Sequence, residues 1–280
     1  MAKIIDGKLI SQNLRNSIKQ KVEDLNKNAV TVGLAVIIAG ENEASKIYVK
    51  NKIKACEQVN IKSYAYYLPQ STLEEELISL IETLNRDKNV SGILVQLPLP
   101  QHLNEQNILS KIDVSKDVDG LSARNIGNLT LGNDALNACT PSGIIELIKS
   151  TGKKIEGCNA VVVGRSNIVG KPMALLLLKE NATVTICHSK TKDLKSITKR
   201  ADILVVAVGK ANFITGDMIK SGAVVIDVGM NRIDGKLFGD VDLSGAKSVA
   251  SHITPVPGGV GPMTITMLLF NTLKAAEMNG

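Results

Sequence analysis

Apolar and polar positions along the first half of the chain switch between two periods. Thr31–Ile38 (TVGLAVII) is a β-branched apolar run closed by Gly40, and it predicts a strand. Glu43–Val59 has helical spacing. Ile61–Leu68 alternates as a strand and holds Tyr64, Tyr66 and Tyr67, three of the four tyrosines. Ser71–Arg86 predicts a helix, opened by a capping box of Ser71 and Glu74. Val90–Gln96 (VSGILVQ) predicts a further strand, stopped by Leu97-Pro98-Leu99-Pro100. Strands that alternate with helices imply a parallel sheet covered on both faces.

The second half repeats this logic. Thr140-Pro141 reads as an N-cap followed by proline at the first helical position, opening a helix to about Ser150. Asn159–Val163 predicts a strand, Gly164–Gly170 a glycine-bearing turn, and Pro172–Glu180 a helix. Thr183–Cys187, Ile203–Val208, Val224–Val228 and Val249–Ile253 predict four more strands. This is the pattern of a Rossmann-type dinucleotide domain. The apolar helix from Pro262 to about Met278 is expected to pack back on the first domain. The expected architecture is therefore α/β with two domains and a cleft between them. An N-terminal three-layer α/β domain spans 1–138 and is joined by helix 263–280; the dinucleotide domain spans 139–262.

Composition narrows the function. A chain of 280 residues supports roughly two domains at about 150 residues each. With 44% hydrophobic and 21% charged residues it is expected to be globular rather than disordered. The apolar runs fall short of a membrane helix, and Met1–Gly7 lacks the apolar core of a secretory signal. Cys56, Cys139, Cys158 and Cys187 form no CxxC pair, and His102, His188 and His252 are not spaced as a cluster. No metal site and no disulfide framework is expected, and a reducing cytoplasm is the expected compartment. The net charge of +6 is spread along the chain, and no Trp is present, so nucleic acid is not an expected partner.

Val161 to Pro172 (VVVGRSNIVGKP) is strand, turn and helix, the arrangement that lets a backbone approach a phosphate. The full GxGxxG fingerprint would place glycine at 166, where this chain has Ser166. An NAD site would carry a carboxylate at the end of the next strand; here His188-Ser189-Lys190-Thr191 follows it. Nothing there repels a 2′-phosphate, and Arg165, Ser189 and Lys190 can bind one, which favours NADP. The competing reading is that Gly164 and Gly170 form a plain turn and the cations are solvated.

On the Glu43–Val59 helix, Ser45, Tyr48 and Lys52 stand at i, i+3 and i+7, so Tyr48 and Lys52 share a face. A lysine desolvated beside a tyrosine can move protons. Lys46, Lys50 and Lys54 on the same helix argue equally for a solvated face. Gln96 stands at the carboxyl end of a strand, where ligands of α/β sheets bind, or is simply a strand exit. Asp119, in Lys116-Asp117-Val118-Asp119-Gly120, can accept two N–H bonds from a heterocycle or serve a turn. Thr254–Thr264 (TPVPGGVGPMT) is a stiff loop suited to close backbone approach.

Six motifs occur here in one order: Tyr48–Lys52 (YVKNK), Val95–Pro100 (VQLPLP), Lys116–Gly120 (KDVDG), Thr140–Gly143 (TPSG), Gly164–Pro172 and Pro255–Thr264. Together they resemble the bifunctional methylenetetrahydrofolate dehydrogenase/methenyltetrahydrofolate cyclohydrolase family, over essentially the whole chain. The resemblance implies NADP-dependent oxidation of 5,10-methylenetetrahydrofolate to the 5,10-methenyl cation, then hydrolysis to 10-formyltetrahydrofolate. It implies Lys52 as central catalytic residue, Tyr48 against the folate, Gln96 supporting Lys52, and Asp119 anchoring the pterin. It implies Gly258, Gly259 and Pro262 as substrate-lining backbone. Gly164, Arg165, Ser166, Gly170, Ser189 and Thr140 would hold the cofactor. It further implies a homodimer through the cofactor domain and tetrahydrofolate substrates with or without a polyglutamate tail. One stretch departs from the family pattern: Asp134–Ala138 (DALNA) stands where an aromatic and then proline more often precede Cys-Thr-Pro. A Rossmann dehydrogenase of another small substrate would keep Gly164–Gly170 but would leave Tyr48, Lys52, Gln96 and Asp119 unexplained. A non-catalytic dinucleotide-binding protein is the other alternative.

Overall fold

In the computed structural model, which describes residues 1–279, the chain opens with β1 (Lys3–Ile4), α1 (Gly7–Lys27), β2 (Gly33–Ala39) and α2 (Glu43–Gln58). It continues through β3 (Lys62–Leu68), α3 (Glu74–Arg86), β4 (Gly92–Val95), α4 (Glu105–Ser110), α5 (Ala123–Thr130) and α6 (Cys139–Ser150). Next come β5 (Asn159–Val163), α7 (Gly170–Lys179), β6 (Thr183–Cys187), α8 (Leu194–Thr198), β7 (Ile203–Val206) and β8 (Val224–Asp227). The last elements are β9 (Asn231–Ile233), β10 (Lys236–Phe238), α9 (Leu243–Lys247), β11 (His252–Ile253) and α10 (Val260–Asn279).

The chain forms two units. The first holds Asn13–Cys139 and the chain from Ile265 onward; the second holds Met1–Gln12 and Thr140–Thr264. The first twelve residues therefore leave the 1–138 block expected from sequence. Their partner is the reason: β1 pairs in parallel with β11, Lys3 beside His252 and Ile4 beside Ile253. A two-residue strand has no period to read. The second boundary falls inside α10, two residues beyond the expected start of its return to the first unit.

The first unit is built on a parallel sheet in the order β3-β2-β4. All seven residues of β2 are buried, because both faces are covered. Leu34, Val36 and Ile38 pack with Ile18 and Val22 of α1, Val49 and Cys56 of α2, and Leu269 and Leu273 of α10. Ala35, Ile37 and Ala39 pack instead with Leu77, Ile81 and Leu84 of α3 and with Ile108 of α4. The period of two along β2 thus sorts its side chains into two helix-covered faces, giving three layers. α3 corrects one expectation. It starts at Glu74 after Leu73, whose N–H donates to Glu76 Oε2 at 2.9 Å. Glu74, expected to close a box with Ser71, accepts from Asn104 N at 2.8 Å and Asn107 Nδ2 at 2.7 Å. Ser71 stays in the turn where Thr72 N bonds Pro69 O at 3.1 Å.

The second unit carries a parallel sheet in the order β1-β11-β8-β7-β5-β6. Val161, Val163, Leu204, Val206, Val225 and Ile253 meet in its core. β7 and β8 stop at Val206 and Asp227, each short of the predicted end, where the chain turns into loops at the carboxyl edge. β9 and β10 form an antiparallel hairpin across Asp234-Gly235, both at positive φ (48° and 77°). Among the described residues no helix is long and apolar enough to cross a membrane, and no group of His, Cys, Asp and Glu could hold a metal.

Candidate active site

In the first unit the site begins with the start of α2. Asn42 accepts the Ser45 N–H at 3.0 Å, an N-cap that fixes the helix phase. Val49 and Cys56 then face the core, Tyr48 is 40% exposed, and Lys52, one turn after Tyr48, is half-buried. Lys52 Nζ donates to Gln96 Oε1 at 2.9 Å. Gln96 follows β4 directly, and its N–H still bonds Ile37 O at 2.8 Å, so the sheet sets its position. Gln96 Nε2 donates to Leu97 O at 2.7 Å. That bond decides which end of the amide faces Lys52.

Asp119 lies on a loop held from both sides. The buried Asp117 carboxylate accepts from Gly120 N (3.2 Å), Leu121 N (3.4 Å), Ser122 N (2.8 Å) and Asn125 Nδ2 (2.9 Å). Gly120 has φ +72°, and a β-carbon there would stand 2.4 Å from the carbonyl carbon of Asn137. Buried Asn271 of α10 donates to Val118 O and to Asn137 O, each at 2.8 Å. Cys139 Sγ donates to Val118 O at 3.2 Å. Among the described residues, Asn137 Oδ1 is the buried side-chain oxygen left without a partner, in the stretch that departs from the family pattern.

The charges in this site act on one another. Burial lowers Lys52 below the ordinary lysine range, with the Asp119 charge opposing. Burial raises Asp119, and Lys52 pulls it back. Burial together with the Asp119 charge pushes the Cys139 thiol well up, so it stays protonated. The site thus has an amine inclined to be neutral, a carboxylate within its field, and an amide that orients the amine. A hollow of about 610 Å³ in this unit opens around Asn85–Ser91 and Lys116, and none of Lys52, Gln96 or Asp119 lines it. Lys116 is engaged elsewhere: its Nζ donates to Leu84 O at 3.0 Å and Asp87 O at 2.7 Å.

The second unit has its own site at the carboxyl ends of β5, β6 and β7. A cavity of about 260 Å³ is lined by Gly164, Arg165, His188, Ser189 and Lys210 among others, with no carboxylate. Gly164 has φ +132°, and a β-carbon there would stand 2.3 Å from Ala207 O. At Gly170 one would stand 2.3 Å from Gly164 O, so the turn and α7 pack backbone to backbone. Ser166 Oγ accepts from Val169 N at 3.2 Å and Gly170 N at 3.3 Å, bracing the turn. The basic, carboxylate-free lining and the tight glycine turn suit a dinucleotide that carries a 2′-phosphate.

Of the sequence-derived candidates, Lys52 and Gln96 are in contact and Asp119 is coupled to Lys52 electrostatically. Gly164, Arg165 and Ser189 line one cavity, with Ser166 and Gly170 forming the turn beside it. Thr140 is not among its lining; it stands at the start of α6 with its hydroxyl 2.9 Å from that of Thr264. Gly258 and Gly259 lie on the loop into α10 and Pro262 in the first turn of that helix; Gly258 has φ +104°, and Pro262 O accepts from Ser11 Oγ at 3.4 Å. Sequence reasoning missed Asp117 and Asn271. The Asp117…Ser122 spacing into α5 is a visible signal for the first; nothing local marks the second.

Two family models match the chain. Residues 5–119 match the tetrahydrofolate dehydrogenase/cyclohydrolase catalytic domain, and residues 138–280 match the NAD(P)-binding domain of the same family. A relative called bifunctional protein FolD from Acetivibrio thermocellus is 57% identical, over 99% of this chain and 98% of its own. Another of that name from Listeria innocua is 56% identical over 99% and 98%. Among solved structures, the FolD methylenetetrahydrofolate dehydrogenase/cyclohydrolase of Campylobacter jejuni has a TM-score of 0.97 and 48% identity, covering 99% of both chains. The Trypanosoma brucei enzyme, solved with NADP cofactor and inhibitor, has a TM-score of 0.94 and 38% identity, covering 99% of this chain and 98% of its own.

Proposed function

This chain belongs to the tetrahydrofolate dehydrogenase/cyclohydrolase family, and we propose that the contacts just described carry its two reactions. It oxidises 5,10-methylenetetrahydrofolate to 5,10-methenyltetrahydrofolate with NADP, and hydrolyses that cation to 10-formyltetrahydrofolate. The observation that carries the residue assignment is the Lys52–Gln96–Leu97 chain of hydrogen bonds, beside Asp119, in the unit that matches the family's catalytic domain.

NADP, when bound, supplies the hydride acceptor. The carbon that loses hydride lies between two nitrogens whose lone pairs expel it, so the protein's part in the first reaction is orientation rather than base catalysis. Tyr48, exposed one turn before Lys52, holds the folate face, and Asp119 accepts N–H bonds from the pterin. Gly258, Gly259 and Pro262 offer backbone for close approach. Hydrolysis requires proton transfer, and Lys52 supplies it as the neutral amine. An ammonium beside a cationic substrate would be repelled, and burial works against that charge by lowering Lys52, with Asp119 opposing. Gln96 holds the amine in place. Gly164, Arg165, Ser166, Gly170 and Ser189 bind the dinucleotide; Thr140 belongs to the same assignment and enters through its place at the start of α6.

The same reading includes a homodimer, a cytoplasmic location and substrates with or without polyglutamate tails. The dimer is supported by β6, the outer strand of its sheet, which leaves Thr183, Thr185 and Ile186 exposed. The location is supported by the four unbridged, buried cysteines. The test is to supply 5,10-methylenetetrahydrofolate with NADP+ or NAD+ and follow reduced nucleotide and the methenyl chromophore together. Reduction of NADP+ with transient methenyl absorbance is expected. Nucleotide reduction whose methenyl product decays no faster than in buffer would overturn the cyclohydrolase assignment.

A further inference from the structure

Behind the dinucleotide cavity stand two buried carboxylates that neither reaction uses, Asp227 and Asp240. Asp227 ends β8 and Asp240 follows β10. Asp240 is fully buried, and its carboxylate accepts three successive backbone N–H groups, from Val208 at 2.6 Å, Gly209 at 2.9 Å and Lys210 at 2.9 Å. Asn231 Nδ2 adds a fourth bond at 2.9 Å. Asp227 holds Asp240 in turn. Its Oδ1 accepts from Asp240 N at 2.8 Å and Gly229 N at 3.0 Å, and its Oδ2 accepts from Val241 N at 3.0 Å.

The packing leaves no slack in this arrangement. A β-carbon on Gly229 would stand 2.3 Å from Asp240 Oδ1, and one on Gly239 would stand 1.8 Å from Asp227 Oδ2. The loop that Asp240 grips is itself part of the cavity. Val208 and Lys210 line it, and Ala207 O stands against Gly164 so closely that no β-carbon fits between them. Three consecutive N–H groups converging on one carboxylate form a rigid concave backbone, the same geometry that elsewhere captures free anions.

We propose that Asp240 is a positioning residue for the dinucleotide: through the N–H groups of Val208, Gly209 and Lys210 it sets the part of the cavity wall that Val208 and Lys210 form. This inference rests on the assignment of that cavity to NADP. Asp240 touches no ligand; it acts through the loop. An amide in its place keeps one acceptor oxygen but turns an NH2 toward the donors that bonded the other, so the charge and part of the grip are lost and the loop shifts from Gly164. The partners named here all belong to the dinucleotide unit, so the hydrolytic reaction is expected to be indifferent to them.

The chain's two activities separate the outcomes. Asp240→Asn is expected to raise the Kd for NADP, measured by titration calorimetry, by tenfold or more. It should raise KM for NADP equally, leave dehydrogenase kcat at saturating NADP within threefold, and leave hydrolysis of the methenyl substrate without nucleotide within twofold. Asn231→Asp sets a second carboxylate against Asp240 in place of the Asn231 Nδ2 donor, and should give the same pattern more weakly. If Asp240→Asn does not fold, Asn231→Asp alone decides. Unchanged NADP affinity in the deciding variant overturns the proposal, as does an equal fall of both activities, which would mark Asp240 as a general fold residue. Failure of the wild-type chain to bind NADP would instead overturn the assignment of the cavity.

Discussion

Lys52 and Gln96 meet at 2.9 Å, amine to amide oxygen, and the amide is held in that sense by its own second bond to Leu97 O at 2.7 Å. An amide accepts from a lysine without adding charge. It can therefore fix the amine in place and leave its proton affinity to burial. A carboxylate in the same place would do the opposite.

Gln96→Glu follows directly. The new carboxylate would favour the ammonium form of Lys52 and set an oxygen against Leu97 O. Cyclohydrolase activity should fall about 100-fold, the lower part of what a positioned acid–base group contributes. The decay of methenyl absorbance measures it. A loss smaller than threefold would show that the amine works without the amide.

Lys52 also predicts the sign of the pH response. Burial lowers its folded-state affinity for the proton, so the neutral amine accumulates as pH rises through a midpoint below that of an ordinary lysine. Hydrolysis, corrected for the reaction in buffer, should rise with pH across that midpoint and then level off. Lys52→Met should remove the rise and lower the rate by about 10² to 10⁴. A variant that keeps the wild-type pH profile would exclude Lys52 as the group that titrates.

Much of this was legible before the structure. β5 and β6 fall at the predicted residues, because a β-branched run between turn signals has few other readings. α2 ends within one residue of its predicted end. What escaped the sequence was of two kinds. β1, β9 and β10 have two or three residues each, too short for a period, though Asp234-Gly235 is a hairpin signal that could have been used. α1 is different: Ile10, Leu14, Ile18, Val22 and Leu25 carry helical spacing in plain view. For the site, residue types and spacings offered Lys52, Gln96 and Asp119 beside plainer readings, and the family resemblance supplied their expected roles. Of the groups that hold them still, Asp117 has a local signal in its spacing to Ser122, whereas Asn271 is known only from contacts and lies 153 residues from its partner Val118.

The dinucleotide cavity predicts a change of cofactor preference. Arg165 and Ser189 line it and no acid does. Ser189→Asp places a carboxylate where a 2′-phosphate would sit, yet leaves an acceptor for a free ribose hydroxyl. The ratio of kcat/KM for NADP+ to that for NAD+ should fall at least 100-fold, mostly through KM for NADP+. Arg165→Ala should weaken NADP+ by about tenfold, the loss of one charged hydrogen bond of roughly 1.5 kcal/mol, with little change for NAD+. Equal losses with both nucleotides would mean that these side chains hold a part common to the two.

Asp117 gives the last prediction, and it separates holding from chemistry. Its buried carboxylate is the shared acceptor for Gly120, Leu121, Ser122 and Asn125. Asp117→Ala leaves those donors unpaired next to Asp119, at a cost on the order of 3 kcal/mol. Urea unfolding should show that loss, and the surviving protein should have a raised KM for folate with NADP affinity unchanged. Asp119→Ala removes no such staple, so it should cost less stability and more folate affinity. If the two variants lost stability and folate affinity in the same proportion, Asp117 and Asp119 could not be assigned separate tasks.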